Sequence, residues 1–259
     1  MIYMQHSDLA VSAAHYGTLA VRAYPGKNEL GKAAGEHAAR VIADAIRANG
    51  TARVMFAAAP SQEETLKTLI AVTNVDWSRV ECFHMDDYVG LRPDAPQGFG
   101  NWLQRLVFDS VTPKDFHRIN TAGDASQGAE DYARVMGSAP FDLVLCGLGV
   151  NGHLAFNDPP ADFNDQKAAR VINLDDVSRQ QQVDEGHFER LEDVPTHAVT
   201  VTIPRLLNAA AIVASVPGSA KKQAVAETLA KAVSGTHPGT ILRTHPNASL
   251  YLDGESDPR

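Results

Sequence analysis

The sequence predicts an α/β fold, a single domain built on an open, mostly parallel sheet with helices on both faces. Short apolar runs of β character alternate with longer segments that repeat apolar residues at helical spacing, the pattern of strands joined by crossover helices. Several short runs are apolar on both faces, as expected for strands buried between two helical layers. The chain has 259 residues, a length that one such domain can reach. No linker or repeat divides it, so we treat 1–259 as one domain.

The strands and helices follow from this periodicity. Six short apolar runs predict strands at 54–57, 80–83, 141–146, 198–203, 211–216 and 249–252. Five segments between them predict helices at 28–49, 61–72, 99–108, 127–136 and 219–231. Gly50 and Gly235 are expected to end the first and the last of these helices.

The segment 159–195 differs from the rest of the chain. It is polar, and it contains a run of three glutamines and two short acidic clusters. We interpret it as an insertion or lid over a site, with a solvated surface loop as the alternative.

Composition excludes several classes of function. The 31 acidic residues exceed the 23 basic ones, giving a formal charge of -8, which argues against nucleic-acid or anionic-membrane partners. No apolar run approaches the roughly 18 residues that a membrane span needs. The two cysteines, Cys82 and Cys146, lie in apolar runs and are expected to be buried thiols. We expect a cytoplasmic protein.

The first candidate site follows the strand at 80–83. Ligands of open α/β sheets bind beyond the carboxyl ends of strands, and Asp86 and Asp87 lie there. Successive side chains alternate in direction, so one carboxylate can face the site while the other supports it. A carboxylate in a dry crevice is suited to abstract a proton beside a carbonyl. The alternative is a turn or helix cap.

The second candidate is the glycine-rich loop after the strand at 141–146. The three glycines of 147–152 match GxGxxG, but a histidine and Asp-Pro follow where a dinucleotide-binding helix should begin. His153 is the candidate acid and base, because imidazole titrates near neutrality. Asn151 and Asp158 are close enough in sequence to orient it.

Two further strand ends predict an anion site. Ser219 and Lys221 lie at a predicted helix start, where free amides, a hydroxyl and an ammonium suit a phosphate. Ser61 and Gln62 offer similar groups at another helix start, although Ser61 with Glu64 also fits a capping box. For the turn at Ser219 and Lys221, the alternative is an ordinary helix cap with solvated lysines.

These motifs resemble the glucosamine-6-phosphate deaminase (isomerase) family, whose superfamily includes 6-phosphogluconolactonase. Residues 84–91 (HMDDYVGL) are similar to the family's MDEYVGL, and 151–159 (NGHLAFNDP) to its DGHIAFNEP. Weaker similarities at 196–201, 218–221 and 245–246 occur in the same order. The lactonase branch typically has GHTASLFP at the histidine motif, so the resemblance favours the deaminase branch.

The resemblance implies a modified Rossmann-like fold and conversion of an amino-sugar 6-phosphate to a ketose phosphate with release of ammonia. No metal or organic cofactor is implied, and the binding partner is a small sugar phosphate. Asp86 would move a proton between C2 and C1, and His153 would pass a proton at the ring oxygen. Asn151 and Asp158 would position or polarise His153, and the turn at 219–221 would hold the phosphate. Whether the chain forms a homo-oligomer is left undecided by the sequence.

The phosphate end departs from the family pattern. The loop at 59–62 (APSQ) replaces a Gly-Gly-Thr-rich loop, and an ungapped extension puts Asp184 where the family has a phosphate-binding arginine. Arg243 or Arg179 would then have to substitute for that arginine.

Three alternatives to the deaminase therefore remain at the sequence level. One is hydrolysis of a phosphosugar lactone, with His153 activating water. Another is a catalytically silent sugar-phosphate binder, which the changed phosphate loop and Asn151, in place of the family's aspartate, would support. The last is a metal hydrolase that uses His84, Asp86 and His153 as ligands.

Overall fold

The structure is a computed structural model that describes residues 10–259. The described residues form these strands: β1 (Ser12–Tyr16), β2 (Leu19–Tyr24), β3 (Ala52–Phe56), β4 (Val80–His84), β5 (Asp86–Tyr88), β6 (Asp115–His117), β7 (Leu143–Cys146), β8 (Ala169–Asn173), β9 (His197–Val201), β10 (Ile212–Val216) and β11 (Ala248–Asp253). Their α-helices are α1 (Lys27–Asn49), α2 (Glu63–Ala71), α3 (Phe99–Leu103), α4 (Ala125–Met136), α5 (Asp176–Asp184), α6 (Ile203–Leu207) and α7 (Lys222–Ala230). Short 3-10 turns, Pro60–Gln62 and Ser219–Lys221, lead into α2 and α7.

Eight strands form the main sheet in the order β1-β2-β11-β10-β7-β3-β4-β6. All neighbours are parallel except the edge pair β1–β2. Phe56 of β3 pairs with His84 of β4 and with Leu145 of β7, so the carboxyl ends of these three strands lie side by side. The chain continues from β4 into β5, which belongs to a separate antiparallel sheet in the order β5-β9-β8.

The central strands β3, β7 and β10 are buried along almost their whole length, so both faces of the sheet are covered. In β3, Val54 and Phe56 are buried in one apolar cluster with residues of α1 and α2. Met55, between them, is buried in a second cluster with residues of α4 and α7. Because neighbouring side chains of a strand point to opposite faces, helices pack on both sides. This confirms the predicted α/β fold class.

Most predicted elements are present. The six apolar runs correspond to β3, β4, β7, β9, β10 and β11, and the five helical segments correspond to α1, α2, α3 with a π-helical turn, α4 and α7. The strand predicted at 198–203 is shorter, because Thr202 precedes α6 as its N-cap, and it belongs to the small antiparallel sheet. Elements without a prediction are β1, β2, β5, β6, β8, α5 and α6.

The two predicted helix-ending glycines have different outcomes. Gly50 ends α1 with φ of +81°, and its N–H donates to the Ile46 carbonyl at 2.8 Å. Gly235 does not end a helix: α7 stops at Ala230 and is followed by extended backbone. Gly235 is required elsewhere, because a Cβ there would lie 2.1 Å from the backbone oxygen of Ala161.

Candidate active site

A cleft of about 480 Å³ opens at the carboxyl ends of β3, β4 and β7. Three of the residues predicted from the sequence line it: Asp86, His153 and Gln62. The rings of Phe99 and Phe156 stack with centroids 5.6 Å apart and form part of its wall. Apolar walls around a few polar groups are typical of small-molecule sites.

Asp86 is the buried carboxylate of this cleft. Asp86 is 5% exposed, and within residues 10–259 no group donates a hydrogen bond to its carboxylate. Burial, and to a lesser extent the nearby Asp87 carboxylate, raises the Asp86 pKa well above its usual range. A carboxylate with a raised pKa is a stronger base once ionised, which suits proton abstraction from carbon.

Asp87 has a different partner set. Its carboxylate accepts the N–H groups of Tyr88 at 2.9 Å, Phe99 at 3.0 Å and Gly100 at 3.0 Å. It therefore binds free amides at the start of α3. The alternating directions of the two aspartates send one into the cleft and one onto a helix end, as the sequence predicts. The helix-cap alternative applies to Asp87 alone.

His84 is structural. Its Nε2 accepts the Ile119 N–H at 2.9 Å, so Nδ1 carries the proton and donates to the Asp86 carbonyl at 3.0 Å. Burial lowers the His84 pKa, which keeps the ring neutral. Because both nitrogens are engaged with the backbone, His84 is not available as a metal ligand, and the metal-hydrolase alternative loses one of its three groups.

The glycine-rich loop after β7 brings His153 to the cleft. No helix follows the loop until α5, so the GxGxxG spacing at 147–152 is not a dinucleotide-binding turn, as expected. The His153 ring lies directly against Gly149, where a Cβ would come within 2.4 Å of three ring atoms. Glycine is thus required at Gly149 by the close approach of the imidazole.

Three side chains hold His153. Its Nδ1 lies 3.0 Å from Asp158 Oδ1 and 2.9 Å from Ser178 Oγ. Asn151 donates from Nδ2 to the same Asp158 oxygen at 3.1 Å and accepts the His153 N–H at 3.1 Å. Asn151 and Asp158 thus support the imidazole and do not line the cleft. Within residues 10–259 no group bonds Nε2, which is left for a ligand.

The Asp158 carboxylate is held in its ionised form. Burial alone would raise the Asp158 pKa, but the hydrogen bonds from His153, Ser178 and Asn151 outweigh it and lower that pKa. An ionised partner at Nδ1 fixes the ring tautomer and stabilises the imidazolium that forms when Nε2 takes a proton.

Helix α5, inside the segment 159–195, covers one side of the cleft. Its inward face is polar, and each side chain on that face hydrogen-bonds a different part of the site. Ser178 contacts His153, Gln181 accepts the Val150 N–H at 2.9 Å, and Gln182 accepts the Tyr88 hydroxyl at 2.6 Å. Ser178, Gln181 and Gln182 are all buried.

A second cleft of about 790 Å³ adjoins the first at Glu185, which lines both. Its walls include Ser61, Gly218, Lys221 and Lys27. The Lys221 ammonium donates to Glu185 Oε1 at 3.2 Å, and Lys221 is 6% exposed. Burial lowers the Lys221 pKa, while Glu185 opposes that shift.

The predicted phosphate-binding residues have mixed outcomes. Lys221 and Ser61 line the second cleft, and Gln62 lines the first. Ser219 is exposed and lies outside the residues that line either cleft. The capping box is wrong: Ser61 lies inside the 3-10 turn and accepts from Gln62 Nε2 at 3.1 Å, while Glu64 pairs with a lysine. No side chain caps the amides that begin α2.

The two arginines suggested as substitutes are also wrong. Arg179 donates to the carbonyls of Leu191 and Val194, and Arg243 donates to the carbonyl of Leu229, away from both clefts. Asp184 is exposed and accepts from a glutamine one turn earlier. The acid that lines both clefts is the neighbouring residue Glu185, the C-cap of α5.

Four polar site residues on α5 and its C-cap had no prediction: Ser178, Gln181, Gln182 and Glu185. They recur at positions i, i+3, i+4 and i+7, which places them on one face of a helix. The sequence therefore contained one signal for these residues: a polar stripe at helical spacing inside the segment 159–195, which we interpret as a lid.

A buried carboxylate and an oriented imidazole at the carboxyl edge of a parallel sheet define an acid–base enzyme of the α/β class. The chain belongs to the family described as glucosamine-6-phosphate isomerases/6-phosphogluconolactonase, which matches residues 25–251.

Relatives within this family point to its deaminase branch. A glucosamine-6-phosphate deaminase of Listeria innocua is 32% identical over 226 residues, 87% of this chain and 95% of that protein. One from Staphylococcus epidermidis is 32% identical over 198 residues, 74% and 80% of the two chains.

Solved structures show the same fold. A monomeric glucosamine-6-phosphate deaminase superposes with a TM-score of 0.83 at 26% identity, covering 91% of this chain and 98% of its own. A 6-phosphogluconolactonase from Plasmodium vivax gives 0.76 at 14% identity, covering 96% of each chain, a likeness of fold alone. Within the described residues, no helix has both the length and the apolar character needed to cross a membrane.

Proposed function

We propose that this chain is a glucosamine-6-phosphate deaminase, which converts glucosamine 6-phosphate and water to fructose 6-phosphate and ammonium. The observation that supports this most strongly is the pairing, in one cleft, of the unbonded Asp86 carboxylate with an imidazole whose Nδ1 is held by Asp158. Isomerisation beside a carbonyl needs a base at carbon and an acid–base group at oxygen.

Asp86 is the base in this proposal. Once the sugar ring has opened, its carboxylate takes the proton from C2 and returns a proton to C1, which turns the aldose into the ketose imine. Water then hydrolyses the imine at C2 and releases ammonium. The buried, unpaired environment of Asp86 raises its pKa and strengthens it as a base.

His153 opens the ring in this proposal. Its Nε2 takes the proton of the C1 hydroxyl and delivers it to the ring oxygen as the C1–O5 bond breaks. Asp158 stabilises the charged ring during this transfer, and Asn151 and Ser178 fix the position of that carboxylate.

The phosphate is assigned to the second cleft. Lys221 and Ser61 line it and offer an ammonium and a hydroxyl to the phosphate. Because this cleft meets the first at Glu185, one sugar phosphate can place its carbonyl end at Asp86 and its phosphate near Lys221. A contribution of Ser219 to phosphate binding stays a prediction from the sequence.

We also propose that the segment 159–195 is the cover of the site. Its helix α5 hydrogen-bonds the glycine-rich loop, Tyr88 and His153, and its polar face lines the cleft. Two statements stay predictions from the sequence: the cytoplasmic location and the single domain over 1–259. The oligomeric state is left undecided by the sequence. Analytical ultracentrifugation measures this state directly.

Product analysis tests the proposed function. Purified protein is incubated in parallel with glucosamine 6-phosphate and with 6-phosphogluconolactone, and ammonium, fructose 6-phosphate and acid release are quantified. The proposal predicts equal amounts of ammonium and fructose 6-phosphate from the first substrate. Acid release from the lactone alone would favour the lactonase alternative, and thermal stabilisation without any turnover would favour the silent binder.

A further inference from the structure

The strongest unexplained feature is the ion pair between the two clefts. Lys221 is the buried cation of the second cleft, and its ammonium is already bonded to Glu185 at 3.2 Å. The other lysine of that cleft, Lys27, is exposed. A phosphate that binds Lys221 must therefore compete with a carboxylate of this same chain.

We propose that Glu185 is an internal competitor of the substrate phosphate for Lys221, and that it sets the affinity of the phosphate subsite. This rests on the proposed function, since it assigns a phosphate to the second cleft. Glu185 is then a specificity-determining residue that the family resemblance does not supply. Two like charges cannot share one ammonium without strong repulsion, so binding of the phosphate expels the carboxylate.

The other acids of the second cleft are less suited to this role. Asp253 accepts the N–H of Gly218 at 3.0 Å and that of Ser256 at 2.9 Å, so it is fixed to the backbone. Glu255 is exposed at the rim. Glu185 is the acid of this cleft that bonds the buried ammonium.

The position of Glu185 at the end of α5 makes it readily displaced. It is the C-cap residue of that helix, where the helix dipole disfavours a negative charge. Two donors hold its Oε1, Lys221 and the Gln181 amide at 2.7 Å. Removing Lys221 from this set leaves the carboxylate beside the negative end of α5.

Gln181 connects this exchange to the catalytic loop. Its Nε2 donates to Glu185, and its Oε1 accepts the Val150 N–H of the loop that carries His153. Release of Glu185 therefore changes the bonding of a residue that also anchors the glycine-rich loop. The consequence is that a phosphorylated sugar and its unphosphorylated analogue act differently on the loop.

Calorimetric titration with inorganic phosphate tests the proposal without using turnover. Glu185→Gln removes the competing charge and keeps the side-chain shape, so we expect phosphate to bind roughly 10-fold to 100-fold more tightly than to the wild type. Asp184→Asn is the matched control: it removes one charge from the adjacent exposed residue, and its affinity should stay within about 2-fold.

Location is tested by Lys221→Met, which should abolish phosphate binding in both the wild-type and the Glu185→Gln background. If Glu185→Gln does not fold, Glu185→Asp replaces it, since the shorter side chain withdraws from Lys221 and should give a smaller gain. An unchanged or weaker affinity in these variants, no phosphate binding at all, or a gain that survives Lys221→Met would overturn the proposal.

The two proposals fail in different ways. A phosphate gain in Glu185→Gln without ammonium release from glucosamine 6-phosphate would contradict the deaminase function and leave the role of Glu185 intact. Ammonium release with an unchanged phosphate affinity in Glu185→Gln would contradict the role of Glu185 alone.

Discussion

Asp86 and His153 line the same cleft, but their surroundings differ. Asp86 is buried with no hydrogen bond to its carboxylate from the described residues, whereas His153 is held by a carboxylate and a hydroxyl. The first arrangement disfavours charge and the second favours it. The two groups therefore contribute differently to stability and to its dependence on pH.

Asp86→Asn is expected to stabilise the fold. The raised pKa of Asp86 means that its ionised form is less favourable in the folded state than in the unfolded state. This cost is absent below the unfolded pKa of about 3.9 and grows as pH rises above it. At neutral pH we expect the variant to gain about 1–2 kcal/mol, or roughly 2–8 °C in Tm, measured by thermal unfolding. A lower Tm than the wild type would contradict the unbonded state of this carboxylate.

Asp158→Asn is expected to have the opposite effect on stability. The lowered pKa of Asp158 contributes stability that is full above about pH 4 and is lost as pH falls through the folded-state pKa. The variant should lose about 1.5–3 kcal/mol at neutral pH, and the difference from wild type should shrink in acid.

The same variant should lose activity, because its amide cannot stabilise a charged His153. We expect kcat to fall by about 10²-fold or more and the pH profile of kcat to change shape. Asp162→Asn, an exposed aspartate four residues away, is the matched control and should behave as wild type. Equal pH profiles for both variants would remove the assigned role of Asp158.

At the scale of single elements, helix α5 ties the cover to the site through the bond between Tyr88 and Gln182. Gln182→Leu leaves the buried Tyr88 hydroxyl without its acceptor, at a cost of about 1–3 kcal/mol. Adding Tyr88→Phe removes the unsatisfied hydroxyl and should restore most of that loss. Chemical denaturation of the single and double variants measures this coupling.

Gln180→Leu is the control on the exposed face of the same helix and should change stability by less than about 0.5 kcal/mol. Additive losses in the double variant would show that the Tyr88–Gln182 bond does not hold α5 in place.

The strand ends of the site were predictable from apolar periodicity, whereas α5 was not. Asp86 and His153 lie in the segments that follow two apolar runs, and the sheet geometry places such segments at one edge. Helix α5 buries a polar face formed by Ser178, Gln181 and Gln182, so hydrophobic periodicity gives no signal for it. An ungapped extension of the family motif places Asp184 at the position of the phosphate-binding arginine. In the structure, however, the neighbouring Glu185 points inward to Lys221, and Asp184 bonds a glutamine of α5.

At the scale of the whole molecule, the predicted fold class is confirmed because strands buried on two faces, such as β3, β7 and β10, are short and almost continuously apolar in the sequence. In the small sheet β5-β9-β8, only β9 had such a signal, since β5 has three residues and β8 is partly exposed. The net charge of -8 argues against polyanionic partners but does not reveal how the charge of Lys221 is neutralised, because that depends on the packing of α5 against the turn at Ser219–Lys221.

Ligand binding should stabilise the whole chain. Glucosamine 6-phosphate at about 100 times its Kd adds roughly 2.7 kcal/mol, which corresponds to a Tm increase of about 5–10 °C. Asp86→Asn is the protein to use, because it should bind the sugar phosphate without consuming it. Glucosamine itself should give a clearly smaller increase, and equal increases from the two sugars would place the phosphate outside the Lys221 cleft.

The most direct test of the account is the rate of ammonium release from glucosamine 6-phosphate by the wild type and by Asp86→Asn. We expect turnover by the wild type and a fall of about 10²- to 10⁴-fold in kcat for the variant, which keeps its fold and its sugar-phosphate binding. A variant that releases ammonium at the wild-type rate would contradict the assignment of Asp86 as the base.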